Sequence, residues 1–340
     1  MQAACSQGGD RKSGTCATVF AAKKPKPLSL RTRWLAMKTS ALKIVGIGEV
    51  LWDLLPGGKQ LGGAPANFAY MSNLLGDHGI VASRIGSDPL GREMAEAMQQ
   101  LGLTTSYLQT DETHSTGTVG VKVDPTGQPE FTITPSVAWD FLDWTPLWEE
   151  LAGQADVVCF GTLAQRSPNS RVTIRRFLQA VRTDTLRVFD VNLRQTFFSA
   201  EVLSESLKYS DVVKLNDLEL PLVCNLLSLE FGEQQSSARR LLQKYGLKLV
   251  CVTRGAHGSL LVSPSSAAAH PGFRVNVVDT VGAGDAFTAC LANHYIRGAS
   301  LKTINEAGNR FAAWVASRPG ATPSLDGREL KEALRMFDVE

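Results

Sequence analysis

Arg187-Val188-Phe189-Asp190-Val191, Ser210-Asp211-Val212-Val213-Lys214 and Lys248-Leu249-Val250-Cys251-Val252 are three short apolar runs, each preceded by a helical pattern. Strands buried on both faces show such unbroken apolar runs, and their alternation with helices predicts βαβ units and a parallel sheet. The same reading extends upstream to Asp156-Val157-Val158-Cys159-Phe160 and to a first strand, Lys43-Ile44-Val45-Gly46-Ile47-Gly48. Helices are predicted over 66–75, ending at Gly76, over 286–296, and over 301–317. One region breaks the rhythm. Residues 115–135 alternate with period two around Pro125-Thr126-Gly127, a hairpin pattern that, with residues 49–61, predicts a small second sheet.

Composition narrows the function classes. The 340 residues are 44% hydrophobic and 20% charged, as in ordinary globular proteins. The net charge of +2 is unevenly spread. Residues 1–40 hold eight Lys or Arg against Asp10 alone, which leaves the remaining 300 residues at about −5. Such a body has no basic surface calling for nucleic acid, and no apolar run approaches the roughly 20 residues that span a bilayer. The six cysteines form no CxxC, and Cys159, Cys251 and Cys290 lie inside apolar runs as small hydrophobes. A reducing cytoplasm is the expected setting. Residues 1–40, with Lys23-Lys24-Pro25-Lys26-Pro27, are set apart as a basic tail outside the fold. An organelle transit segment, a plain tail and a mis-start ahead of Met37 all fit that composition. Residues 41–340 are expected to form a single domain.

Two glycine-containing strings carry the chemistry. Asp279-Thr280-Val281-Gly282-Ala283-Gly284-Asp285-Ala286-Phe287 leads into an apolar helix. Small residues at a helix start let successive N–H groups converge on an anion, and the dipole adds to the attraction. Asp285 would then sit beside a bound phosphate, placed to take a proton, although a tight turn with Asp285 as a cap also fits. Gly62-Gly63-Ala64-Pro65-Ala66-Asn67-Phe68-Ala69 is a second helix start, where Asn67 offers a donor and an acceptor to a polyol. Thr253-Arg254-Gly255-Ala256-His257-Gly258 and Asn216-Asp217-Leu218-Glu219 follow predicted strands, where open α/β sheets bind ligands. Read alone, the latter string suits helix capping better than ligand binding.

Taken in order, these motifs resemble the PfkB, or ribokinase-like, family of carbohydrate kinases over roughly residues 43–330, with Gly76 and Gly86 at the spacing of the first fingerprint. Cys290 stands where the family usually has Gly or Ala. The resemblance implies an α/β, doubly wound, mostly parallel sheet with a small β lid formed by about 49–61 and 115–135. It implies that Asp285 is the general base and that Gly282, Ala283 and Gly284 form the anion hole. Asp53, Gly62, Gly63 and Asn67 match its sugar-binding positions. Asn216, Thr253, Gly255 and Gly258 match the nucleotide side, Glu219 would help to organise Mg²⁺, and Asn309 would wall the adenine pocket. A K⁺ site is also implied, with Asp279, Val281, Val315, Arg318, Gly320 and Ser324 giving oxygens mostly from the main chain. Alternatively, Gly320-Ala321-Thr322-Pro323-Ser324 is only a turn.

Within the family, Gly48-Glu49-Val50-Leu51-Trp52-Asp53-Leu54-Leu55-Pro56 and the Gly62–Asn67 loop look most like fructokinases. Asp190-Val191-Asn192-Leu193-Arg194 resembles a string shared by fructokinases and 2-keto-3-deoxygluconate kinases, although Phe197-Phe198 departs from the fructokinase habit. Arg194 could meet a phosphate, a sugar hydroxyl or a carboxylate, and Arg166 is expected near the site. Trp139 could cover the sugar or anchor the lid. The function implied is ATP-dependent phosphorylation of fructose to fructose 6-phosphate. The ketoacid, ribose and nucleosides stay open as acceptors, as does a non-catalytic sugar sensor. Gly46-Ile47-Gly48 lacks the third glycine of a dinucleotide-binding turn. Expected partners are a small sugar and ATP, with no nucleic acid or membrane, and the exposed edges of the lid make a homodimer plausible.

Overall fold

The structure is a computed structural model that describes residues 41–55, 57–123 and 129–323. The predicted tail and the tip of the predicted hairpin lie outside these residues. β1 (Lys43–Ile47) opens the main sheet, and a hairpin of β2 (Leu51–Leu55) and β3 (Gly58–Gly62) departs from it. The chain returns through α1 (Ala64–Leu74), β4 (His78–Gly86), α2 (Pro89–Gln100) and β5 (Leu108–Asp111). A second excursion forms β6 (Thr118–Val123) and β7 (Pro129–Ile133). Regular alternation then resumes with α3 (Pro146–Gln154), β8 (Val157–Gly161), α4 (Pro168–Ala180), β9 (Leu186–Asp190) and α5 (Ala200–Lys208). It continues through β10 (Val212–Asn216), α6 (Glu219–Leu226), α7 (Gln234–Tyr245) and β11 (Leu249–Thr253). β12 (Ser259–Val262), β13 (Ala267–His270), α8 (Ala283–Ile296) and α9 (Leu301–Ala316) complete the described chain.

The main sheet has the order β13-β12-β11-β10-β9-β8-β1-β4-β5. Pairing is parallel from β11 to β5 and antiparallel for β12 and β13. Neighbouring residues of each parallel strand serve opposite cores. Val158, Phe189, Val213 and Val250 pack with Trp148, Phe177, Leu203 and Leu241 on one face. Val157, Val188, Val212 and Leu249 pack with Phe68, Met94, Phe287 and Phe311 on the other. This two-sided burial is why those runs carry no polar alternation. The sheet is therefore doubly wound, as expected.

Strand order reverses at β1. The chain moves outward from it through β4 in one direction and, later, through β8 in the other. Such a switch point leaves a crevice outside the carboxyl ends of the strands. The second sheet, β3-β2-β6-β7, stands beside that edge. Its central parallel pairing aligns Trp52 with Thr118, and β6 runs antiparallel to β7. The strands predicted over 43–48, 156–160, 187–191, 210–214 and 248–252 all form, with ends shifted by a residue or two. β4 and the β12–β13 extension were not foreseen. Trp139 is completely buried, and Ser170 donates a hydrogen bond of 2.7 Å to its carbonyl, so it is an anchor in the core and not a sugar platform.

Candidate active site

A cleft of about 650 Å³ opens at the switch point, within the range of small-ligand sites. Four kinds of segment line it. Glu49, Leu163, Asn192, Arg194 and Lys214 come from the carboxyl edge of the main sheet. Leu51, Asp53, Leu55, Gln60, Val119 and Ile133 come from the second sheet. Gly63, Ala64 and Asn67 come from the start of α1, and residues 279–282 with Gly284 and Asp285 come from the start of α8. The two helix starts thus face one space, so anion-attracting backbone lies next to acidic side chains.

Both starts need glycine. Gly63 has φ 106°, and a Cβ there would lie 2.6 Å from the Glu49 carbonyl oxygen. Gly282 has φ 78°, and a Cβ would lie 2.7 Å from the Ala321 backbone. Of the three N–H groups expected to form an anion hole, that of Ala283 makes a long 3.3 Å bond to the Thr280 carbonyl. Asp285 sits in the first turn of α8, and Asn67 donates a 2.8 Å hydrogen bond to its Oδ2. Burial, then the negative charge of Asp190, raise its carboxyl to about 6, against the pull of Lys214, Asn67 and Arg194. A carboxyl so poised can accept a proton near neutral pH.

Beneath Asp285 lies a buried pair that sequence reasoning missed. Lys214 Nζ bonds both oxygens of Asp190, at 3.1 and 3.0 Å, and Thr288 Oγ1 donates to Asp190 Oδ2 at 2.8 Å. Burial alone would lower the Lys214 pKa, but Asp190, Asp285 and Glu219 together hold the ammonium charged, above its usual range. A Cβ at position 284 would lie 3.0 Å from Lys214 Nζ, so Gly284 makes room for this cation at the helix start. A lysine inside an apolar strand run was the available signal, because a buried cation needs an anionic partner.

The far wall is acidic. Burial raises Glu49 to about 7 and Asp53 to about 6, and in both the positive charge of Arg194 works in the opposite direction. Arg194 opposes the rise at Asp285 as well, so the positive charge of one guanidinium is felt at three carboxyls. Its loop is unusual: Asn192 and Gln195 both have left-handed backbone, at φ 43° and 48°. Glu219 braces that loop, accepting the Leu193 N–H at 2.8 Å on Oε1 and the Asn216 N–H at 2.8 Å on Oε2. Asn216 Oδ1 accepts the Glu219 N–H at 2.8 Å in return. This is the reciprocal capping anticipated for the Asn216–Glu219 string.

The remaining expected site residues are distributed unevenly. Gly62 lies against the Asp53 carboxylate, where any Cβ would collide with it. Asp279 joins the two segments expected around K⁺, accepting Val281 N–H at 3.0 Å and Gly320 N–H at 3.1 Å. The Val315 carbonyl takes the Arg318 N–H at 2.9 Å, and Ser324 lies outside the described residues. Thr253 pairs with Asn216 at the same sheet edge, and Gly255 and Gly258 follow with φ 54° and 79°, but none of the four lines the cleft. Asn309 is drawn into a buried knot, donating to Ser259 Oγ at 2.6 Å and to the Asn305 carbonyl at 2.7 Å. The expectation for Arg166 is corrected. Its guanidinium donates to both Asp140 oxygens, at 2.8 and 2.7 Å, and to the Thr134 carbonyl, and it stacks 4.0 Å from the Trp139 ring. A charge so buried takes the nearest anion, which ties the cation to the framework behind the cleft.

Comparison with known proteins agrees with this geometry. Residues 57–328 match the model of the pfkB family carbohydrate kinases. A fructokinase of Escherichia coli is 30% identical over 313 residues, covering 86% of this chain and 98% of that protein. A sugar kinase of Pyrococcus horikoshii, solved in complex with ATP, superposes with a TM-score of 0.68 at 28% identity, covering 82% of this chain and 94% of its own. A Vibrio cholerae fructokinase variant, solved with fructose, ADP and a potassium ion, gives 0.70 at 25% identity, covering 88% and 98%. Two glycine-led helix starts facing one cleft at the switch point of a doubly wound sheet, and a family match across most of its length, make this chain a member of the pfkB family of carbohydrate kinases.

Proposed function

We propose that this carbohydrate kinase transfers the γ-phosphoryl group of ATP to a hydroxyl of fructose, giving fructose 6-phosphate, with Asp285 as general base. The observation that carries this reading is the buried Asp285 carboxyl, held by Asn67 at the start of α8 and faced by the acidic wall of Glu49 and Asp53. Asn67 occupies one Asp285 oxygen, and the other takes the hydroxyl proton. The sugar oxygen bonds to the γ-phosphorus as the bond to the ADP oxygen breaks. The N-terminus of α8 and the Lys214 ammonium stabilise the negative charge on the transferring group.

The nucleotide then lies along the edge formed by Asn216, Thr253, Gly255 and Gly258, and the Pyrococcus relative solved with ATP supports ATP as that nucleotide. Among the described residues no three His, Cys, Asp or Glu side chains cluster as a metal cage. That suits a Mg²⁺ carried mainly by nucleotide phosphates and water, with Glu219 as the nearby carboxylate that orients it. K⁺ would be held by carbonyls around the Asp279–Gly320 junction, in keeping with the potassium in the Vibrio fructokinase variant. The second sheet acts as the lid, since Leu51, Asp53, Leu55, Val119 and Ile133 line the cleft.

Charge favours a neutral acceptor over a ketoacid. The carboxylate of 2-keto-3-deoxygluconate wants a bidentate Arg, yet Arg166 is committed to Asp140, and the negative charges of Glu49, Asp53 and Asp285 line the same cleft as Arg194. The test is kcat/KM for fructose, ribose, 2-keto-3-deoxygluconate and a nucleoside at saturating MgATP and fixed K⁺. Fructose is expected to rank first. A tenfold advantage for the ketoacid would overturn the substrate.

A further inference from the structure

Resting on the sugar-kinase reading, we propose that Glu49 is a direct ligand of the acceptor sugar and, with Asn67, selects which pattern of hydroxyls is phosphorylated. Glu49 follows β1 at the switch point and lines the cleft with Asn67, Asp285 and Arg194. It is only 2% exposed, and its Oε2 has no hydrogen-bond partner among the described residues. Asn67, 4% exposed, spends its N–H on Asp285, and its Oδ1 likewise has no partner among them.

Two buried oxygens left without donors in one cleft are unusual in a folded protein, where nearly all such groups are satisfied. Both require donors from a ligand. A sugar brings several hydroxyls at close spacing, each able to donate one hydrogen bond and accept others. The Glu49 backbone is closely packed. The turn before it is wedged by Gly48, whose Cβ would lie 3.1 Å from Pro65 and 3.3 Å from Ala164, and its own carbonyl lies against Gly63. Burial raises its carboxyl to about 7, so near neutral pH the group can donate as well as accept. That versatility suits a hydroxyl and not a carboxylate.

The experiment compares the full-length enzyme with Glu49→Ala, Glu49→Asp and Glu49→Gln on the best acceptor and on each of its singly deoxygenated analogues. Wild type should discriminate against one analogue by about tenfold or more in kcat/KM, because removing that hydroxyl leaves Glu49 Oε2 unpaired. Glu49→Ala should erase that discrimination while leaving the others and the KM for MgATP in place. Glu49→Asp, which withdraws the carboxyl by one methylene, should do the same and carries the test if the alanine variant does not fold. Glu49→Gln should fall between. An equal loss on every analogue, or no change on any, would overturn the proposal. The comparison uses whichever sugar wild type prefers, so failure of fructose as substrate leaves it intact. If wild type phosphorylated no sugar, the functional reading would fail; a rise in Tm induced by fructose in wild type and lost in Glu49→Ala would still uphold Glu49 as a sugar ligand, and an equal or absent rise would overturn it.

Discussion

Two populations of polar side chains occupy the carboxyl edge of the main sheet. Toward β10 and β11, Asn216, Glu219 and, on α9, Asn309 exchange hydrogen bonds with their own framework. Around β1 and the two helix starts, Glu49 and Asn67 keep buried oxygens without partners among the described residues. Satisfied groups hold a shape, whereas strained and unsatisfied ones keep interaction free energy available for a ligand. Two arginines differ in their surroundings: Arg166 is buried over the Trp139 ring and ion-paired with Asp140, while Arg194 is exposed at the cleft.

The largest effect should come from the second population. Asp285→Asn should lower kcat by roughly 10²–10⁴ while the KM for MgATP moves little, since it removes the proton acceptor and keeps the shape. Asn309→Ala, in the satisfied population, should leave kcat within a few-fold. Equal losses in both variants, measured at saturating substrates, would erase the distinction.

The arginines should part company next. Arg166→Ala leaves Asp140 buried and unpaired, which costs about 3–5 kcal/mol of stability and should appear as a clear drop in Tm. Arg194→Ala should leave Tm nearly unchanged and raise the sugar KM by about tenfold, a loss near 1.4 kcal/mol. If the two variants exchanged these signatures in melting and steady-state assays, the assignment of cleft and framework would be inverted.

A subtler effect lies in the pH profile. With Asp285 raised to about 6, kcat should fall as pH drops through that value and the base becomes protonated. Asp190→Asn removes a like charge beside it and frees Lys214 to act on it. Both changes lower the Asp285 pKa, so the acid limb should move to lower pH. An acid limb fixed in place would show that another group controls it.

The last effect is on folding and shows only as a pH dependence. The Glu49 pKa is raised in the folded chain from 4.5 to about 7, so the folded state is relatively favoured below 4.5 and loses that advantage as pH rises through 7. The loss is on the order of 3 kcal/mol when complete. Glu49→Gln cannot ionise, so its Tm relative to wild type should be higher at pH 8 than at pH 5. A difference independent of pH would mean that Glu49 does not ionise within the cleft.

Local pattern alone was enough for the strands of a parallel α/β sheet, while its double winding was implied by the family resemblance. Val157-Val158, Val188-Phe189, Val212-Val213 and Leu249-Val250 have no polar alternation because both faces of each strand are buried, a property written residue by residue. The helix starts at Gly62–Asn67 and Gly282–Asp285 were equally legible, since backbone conformation and close approach there demand glycine in a fixed order. Tertiary structure alone decided how charges far apart in sequence pair. Lys214 meets Asp190 across adjacent strands, Arg166 finds Asp140 instead of the cleft, and Glu49 is buried beside Asp285. Those outcomes depend on desolvation and on distances between separate elements, and neither is encoded in the local order of residues.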